Sequence, residues 1–307
     1  MSTPAARPTL AASAAAKTTT LTLQEKYRHG QPITMLTAYD YPTARALDES
    51  GIDAILVGDS LAMVVLGYPN TLSVTMDEML HHARAVSRGA KRALLIGDMP
   101  FMSYQADRTE AVRNAGRFLQ EAGMNAVKLE GGRAVAPTVR AIVEGGIPVL
   151  GHIGLTPQSS NVLGGFRVQG RTAEAAVSLA EDALALEEAG CFAIVIESVP
   201  GRVAQYLTKQ LSIPPIGIGA GAGVSGQVLV THDLLGLYED FTPKFARRYT
   251  DLAATMRTAF AAFRADVEAR EFPARENTYA IADEQWQTFQ QWARRRGQRL
   301  TAPGKRR

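Results

Sequence analysis

The sequence predicts an α/β fold, a (β/α)8 TIM barrel, from three observations. Short apolar runs recur along the chain, and most of them end in a glycine or a polar residue. Runs of this length and composition read as strands buried on both faces, as in a parallel sheet. Helix-like stretches separate them, so strand and helix patterns alternate. Eight such strands fit the length of roughly 250 residues typical of a barrel, and an open doubly wound sheet ordinarily has fewer.

The strands expected are 33–38, 54–58, 93–97, 126–130, 148–151, 192–197, 215–219 and 228–231. The intervening helices are expected at 42–50, 75–88, 109–122, 134–144 and 172–189. The second opens on Thr75 with Glu78 three residues on, the spacing of a capping box. The last ends at Gly190, where a left-handed C-terminal residue is favoured. A further helix at about 247–269 carries Leu, Ala, Met and Phe at helical spacing and reads as packing surface. Two longer loops, 61–74 and 152–171, read as lids or binding loops.

Three domain-level segments follow. Residues 1–20, small and free of acids, read as a disordered tail, 21–280 as the catalytic barrel, and 281–307 as a basic, disordered extension. The net charge of +3 is a property of that extension: seven Lys or Arg and no acid follow Gln290, and removing them leaves −4. The extension could contact a polyanion non-specifically, but a solvated tail is the better reading, so nucleic acid is not the expected partner. No stretch reaches the roughly 18 apolar residues of a membrane span. A single cysteine, Cys191, excludes an internal disulfide and favours a cytoplasmic setting.

In a barrel the chemistry gathers at the carboxyl ends of the strands. The polar residues placed there are Asp40, Asp59, Ser60, Asp98, Glu130, His152 and Glu197. Asp59, Asp98 and Glu130 end three successive strands, and clustered oxygens suit a hard divalent cation. Taken singly, each reads equally well as a helix cap or the partner of a cation. Lys128 lies two residues before Glu130 and so faces the same side. It suits a substrate carboxylate, a Schiff-base nucleophile or a simple ion pair. Glu197, across the barrel, suits a general base or a helix cap. His152 suits a hydrogen bond to a substrate oxygen, a proton shuttle or a structural role. The glycines of 217–223 follow the seventh strand rather than the first, which excludes a dinucleotide fingerprint. In barrels that corner often receives a phosphate or carboxylate.

With these residues in view, the chain resembles the ketopantoate hydroxymethyltransferase family from about 21 to 280. The blocks that carry the resemblance are MLTAYDYP at 35–42, VGDSLAMVVLGYPNTLSVTMDEM at 57–79, GDMPFMSY at 97–104 and VKLEGG at 127–132. GHIGLTPQS at 151–159, IGIGAG at 216–221, HDLLGL at 232–237 and PKFARRY at 243–249 continue it. The resemblance implies hydroxymethyl transfer from 5,10-methylenetetrahydrofolate, the co-substrate, to 3-methyl-2-oxobutanoate through a metal-stabilised enolate. It implies one Mg2+ per subunit on Asp59, Asp98 and Glu130, keto-acid contacts from Asp59, Ser60, Asp98 and Lys128, and Glu197 as proton acceptor. A homodecamer is also implied. Ser225 stands where the family usually has an acid before Gly-Gln, which bears on folate binding or assembly. A Mg2+-dependent lyase of the phosphoenolpyruvate mutase and isocitrate lyase group is the alternative, although its members commonly use a lid cysteine and Cys191 begins a strand.

Overall fold

A computed structural model describes residues 16–295. Eight parallel strands close into a barrel in the order β1 to β8. They are β1 (Ile33–Thr37), β2 (Ala54–Val57), β3 (Leu94–Asp98), β4 (Ala126–Glu130), β5 (Val149–Gly154), β6 (Ala193–Glu197), β7 (Pro215–Ile218) and β8 (Gly226–Leu229). The predicted fold class is therefore the observed one. Two strands differ from expectation by more than one residue at an end. β5 runs on to Gly154, so His152 lies inside the strand rather than beyond it. β8 starts at Gly226, because Gly226 and Gln227 pair with both β1 and β7 although they read as a turn.

Alternation places residues i and i+2 on one face. Ile33, Met35, Leu56, Ile96, Leu150, Val195, Ile216 and Val228 belong to one buried apolar cluster, which fills the barrel. The opposite strand faces, with Ile55, Leu95, Val127, Val149 and Ile194, join a larger cluster with helix residues such as Leu80, Phe118 and Leu186. β2 to β7 are thus buried on both sides, which explains why those runs carry no polar alternation, whereas β1 and β8 each turn an exposed polar residue outward, Thr34 and Gln227.

The helices are α1 (Thr20–Arg28), α2 (Tyr41–Glu49), α3 (Leu61–Val64), α4 (Met76–Gly89), α5 (Arg108–Ala122) and α6 (Ala136–Glu144). After them come α7 (Ser160–Leu163), α8 (Ala173–Glu188), α9 (Gly201–Gln210), α10 (Thr231–Leu235), α11 (Leu252–Ala269) and α12 (Asp283–Arg295). The Thr75–Glu78 capping box is present at the start of α4. Asp40 caps α2 by accepting from the Thr43 N–H at 2.8 Å, so its local role is that of a helix cap. Gly190, at φ +99°, follows the end of α8.

The expected tail and extension need correction where they are described. Thr18 is buried, and its N–H donates to the Arg92 carbonyl at 2.7 Å. The neighbouring Thr19 caps α1. Residues 1–15 lie outside the described residues, as do Arg296, Arg299, Lys305, Arg306 and Arg307 of the basic run. Residues 283–295 form α12 instead of an unstructured segment, with Trp286, Phe289 and Trp292 stacked in series. The chain divides into compact units at 251, so α11 and α12 belong to the second unit rather than the barrel. No helix among the described residues is long and apolar enough to cross a membrane.

Candidate active site

The carboxyl ends of the strands open into a cavity of about 310 Å³. Among its lining residues are Asp59, Ser60, Asp98, Lys128, Glu130, His152 and Glu197, so the residues predicted for the barrel mouth meet there, except Asp40, which caps α2. Their convergence follows from register. Asp98 pairs with Lys128 across β3–β4, and Glu130 pairs with His152 across β4–β5. Glu197 lies opposite Gly154 across β5–β6. Lys128 and Glu130 occupy one face, as their two-residue spacing requires.

Charge dominates the floor of this cavity. Lys128 Nζ donates to Asp98 Oδ1 at 2.7 Å and to Oδ2 at 2.8 Å, and it lies 3.7 Å from Glu130 Oε1. The Asp59 N–H donates to Asp98 Oδ2 at 3.1 Å. All four side chains are buried. Burial pushes the Asp59 carboxyl well above the usual carboxylate range, and the charges of Asp98 and Glu130 push it the same way. Burial likewise raises Asp98, against the pull of Lys128. At Glu130, burial is outweighed by Lys128 and His152, and the carboxyl is lowered. Burial lowers the Lys128 ammonium, but Asp98, Glu130 and Asp59 outweigh it and hold the group protonated. A protonated amine is not a Schiff-base nucleophile, so this geometry favours the point-charge reading.

His152 bridges the two sides of the site. Its Nδ1 lies 3.3 Å from Glu130 Oε1, and its Nε2 lies 3.3 Å from Glu197 Oε2. Neither contact is aligned as a hydrogen bond, which leaves both ring nitrogens and Glu130 Oε1 without a hydrogen-bond partner. Burial and Lys128 lower the imidazolium, yet the two glutamates lift it to about 9. Glu197 itself is the more open group, with its side chain 15% exposed. Beyond it, Ser198 adopts φ +50°, a left-handed conformation uncommon outside glycine.

Gly154 fixes where Glu197 stands. At φ +94°, a Cβ there would lie 2.2 Å from the Glu197 carbonyl oxygen. Gly154→Ala is expected to displace β6 at its catalytic end, costing roughly 2 kcal/mol of stability as overpacked sites do. Turnover should fall at least ~10-fold through the misplaced carboxylate. Chemical denaturation and steady-state kinetics on the same preparation check both effects.

Sequence reasoning missed several residues. Gln158 is buried in the centre of the carboxylates, and Tyr104 holds it from behind. An amide on a glycine-rich loop carries no charge or spacing signal, although both residues lie within the quoted blocks. The 152–171 loop also sends Phe166, Arg167 and Val168 to the mouth, facing Phe241, Lys244 and Phe245 from the segment after α10. Asp233, in α10, lines the cavity as well. Burial raises its carboxyl to about 6, with Arg248 opposing. Its folded pKa lies above the unfolded value of 3.8, so the folded state holds a proton that the unfolded chain releases between those values. Stability should therefore fall as pH rises from about 4 to about 6, by at most about 3 kcal/mol. Asp233→Asn should flatten that part of the curve, as measured by urea denaturation across pH.

Two further positions bear on the site. A Cβ on Gly219 would meet the Phe245 ring at 2.6 Å, so an aromatic ring packs against this glycine after β7. Ser225 lies at the amino end of β8, on the face opposite the cavity, where its hydroxyl donates to the Pro215 carbonyl at 2.6 Å. Its position separates it from anything bound in the mouth.

A divalent cation fits the donor chemistry of the floor. Three buried carboxylates face one lysine and one histidine, and Glu130 Oε1 is a buried oxygen without a hydrogen bond. No ready-made cage of three His, Cys, Asp or Glu side chains exists among the described residues. Mg2+ does not require one, since it commonly takes one or two carboxylates and completes its shell with water and substrate oxygens.

The chain matches the family described as ketopantoate hydroxymethyltransferase over residues 17–275. It is 61% identical over 248 residues to the 3-methyl-2-oxobutanoate hydroxymethyltransferase of Syntrophobacter fumaroxidans, covering 81% of this chain and 88% of the relative. Its identity to the protein of the same name from Clostridium novyi is 56% over 265 residues, covering 86% and 96%. Among solved structures, a phosphonopyruvate hydrolase complex with oxalate and Mg++ superposes with a TM-score of 0.59 at 15% identity, covering 91% of this chain and 96% of the other. The phosphoenolpyruvate phosphomutase of Streptomyces platensis subsp. rosaceus gives 0.57 at 15% identity, covering 90% and 99%. At that identity the two structures bear on the fold alone.

Proposed function

The chain belongs to the ketopantoate hydroxymethyltransferase family, and from that membership we propose that it makes 2-dehydropantoate for pantothenate biosynthesis. The hydroxymethyl donor in this reading is 5,10-methylenetetrahydrofolate, and the acceptor is 3-methyl-2-oxobutanoate. The supporting observation is the opposition of Glu197 to the Asp98–Lys128 pair, with His152 between them.

Asp59, Asp98 and Glu130 would hold one Mg2+ per subunit, which when bound supplies Lewis-acid polarisation of the keto acid's oxygens. Lys128 donates two hydrogen bonds to Asp98 and has a third N–H for a substrate oxygen. Ser60, whose Oγ lies 2.9 Å from the Tyr39 hydroxyl, offers a further polar contact at the rim. Glu197 takes the proton from C3, and the electrons of that C–H bond move into an enolate whose oxygen faces Lys128. The His152 imidazolium stabilises the charge on Glu197 before the transfer and on Glu130 throughout. Water opens the donor's methylene bridge, both C–N bonds breaking to leave tetrahydrofolate and a one-carbon unit at the formaldehyde level. C3 of the enolate attacks that carbon, and the oxygen takes back the proton held by Glu197 to become the hydroxymethyl group. The apolar rim formed by Phe166, Val168 and Phe241 suits a flat aromatic donor, and Arg167 and Lys244 suit its carboxylates.

A cytoplasmic homo-oligomer, the decamer of the family, completes the reading. The lyase alternative has no support from cysteine chemistry, because Cys191 is buried before β6 and burial pushes its thiol to about 12. The test is to incubate the protein with Mg2+, the keto acid and the folate donor, and separately with phosphonopyruvate. Formation of 2-dehydropantoate with intact phosphonopyruvate is the expected result. Cleavage of phosphonopyruvate without 2-dehydropantoate would replace the proposal by the lyase.

A further inference from the structure

Gln158 is the most heavily bonded side chain of the site, and the reaction scheme gives it no part. It belongs to the 3-10 turn Pro157–Ser159 on the loop after β5 and is 4% exposed. Its Nε2 donates to Asp59 Oδ2 at 3.0 Å and to the Met99 carbonyl at 3.0 Å. Its backbone N–H donates to Glu130 Oε2 at 3.0 Å. Its Oε1 accepts from the Tyr104 hydroxyl at 2.7 Å and from Gln105 Nε2 at 3.3 Å. Both amide protons and the amide oxygen are therefore engaged, and only one orientation of the amide satisfies the set.

The bonds on the carboxylates are selective. Gln158 takes one oxygen of Asp59 and one of Glu130, and Glu130 Oε1 is left as the buried oxygen without a hydrogen bond. A residue that engages one oxygen of each acid, Asp59 through its side-chain amide and Glu130 through its backbone N–H, fixes the rotation of both groups and so aims the remaining oxygens. Tyr104 adds a constraint, since its hydroxyl also accepts the Glu130 backbone N–H at 3.1 Å and locks the amide from behind. We propose that Gln158 is a positioning residue that aims Asp59 and Glu130 at a divalent cation, making cation affinity depend on the loop after β5. This rests on the Mg2+ reading above.

The test uses the full-length protein and calorimetric titration with Mg2+ alone, without either substrate. Gln158→Met keeps the side chain's volume and the backbone bond to Glu130 but removes the hold on Asp59. The variant should bind Mg2+ about 10–100-fold more weakly, the range for lost outer-shell partners of metal ligands. Tyr104→Phe frees the amide to turn while leaving its donors in place, and should weaken binding by about threefold, a smaller step in the same direction. It keeps the test open if Gln158→Met does not fold. Melting in EDTA separates a structural role: a lowered melting temperature with unchanged Mg2+ affinity in both variants would overturn the proposal. A wild-type protein that takes up no Mg2+ would instead overturn the metal reading itself.

Discussion

Glu197→Gln is expected to lower kcat by about 10³-fold, within the range a positioned general base supplies. The amide cannot accept the C3 proton, and it preserves the shape of the group at the end of β6. KM for the keto acid should change little, because the acid-binding charges lie on β3 and β4, across the barrel from Glu197. His152 would keep its contact with Glu130, at 3.3 Å, and lose the charge on its other side. Steady-state kinetics with saturating donor gives the reading. Turnover within tenfold of wild type would remove Glu197 from the role of base and leave His152 as the nearest candidate.

Lys128→Met has the largest expected effect on stability. The substitution removes the cation beside Asp98 in a site where both side chains are at most 5% exposed. Breaking a buried pair by deleting one partner costs about 3–5 kcal/mol, because the remaining charge has no compensation. For a unit of this size that corresponds to a fall in melting temperature of roughly 10 °C. Lys128 opposes the burial-driven rise of the Asp98 carboxyl, so its loss raises that group further. The folded variant then holds the Asp98 proton at pH values where the unfolded chain has released it. Its deficit should be fully developed at pH 8 and shrink as pH falls toward the ordinary carboxylate range. Thermal melts in EDTA at several pH values check this. Equal stability of variant and wild type at pH 8 would show that the ammonium contributes nothing net.

The barrel was legible because strand ends carry their own punctuation. Each apolar run stopped at a residue that could not stay in a core, and Asp98, Glu130 and Glu197 are the last residues of their strands. The pairing of Lys128 with Glu130's face needed only the period of a strand. His152 was harder, since glycines at 151 and 154 make β5 look shorter than its ladder with β6, which runs from Leu150 to Gly154. The helix α12 was hidden by its polar composition, and its signal was the three-residue spacing of Trp286, Phe289 and Trp292. Gln158 was beyond sequence reasoning for a physical reason. Its importance lies in partners 28 and 99 residues away, and a neutral amide gives no hint of them. Asp40 shows the converse, a carboxylate at a strand end whose bond caps the following helix.

The central claim is that this site removes the C3 proton of 3-methyl-2-oxobutanoate before any carbon is transferred. Its most direct test is proton exchange in deuterium oxide, followed by NMR, with the folate donor omitted. The account predicts exchange that requires Mg2+, stops in EDTA and disappears in Glu197→Gln. Exchange that persists in EDTA and is lost only in Lys128→Met would contradict it and place a Schiff base on Lys128 at the centre of the chemistry.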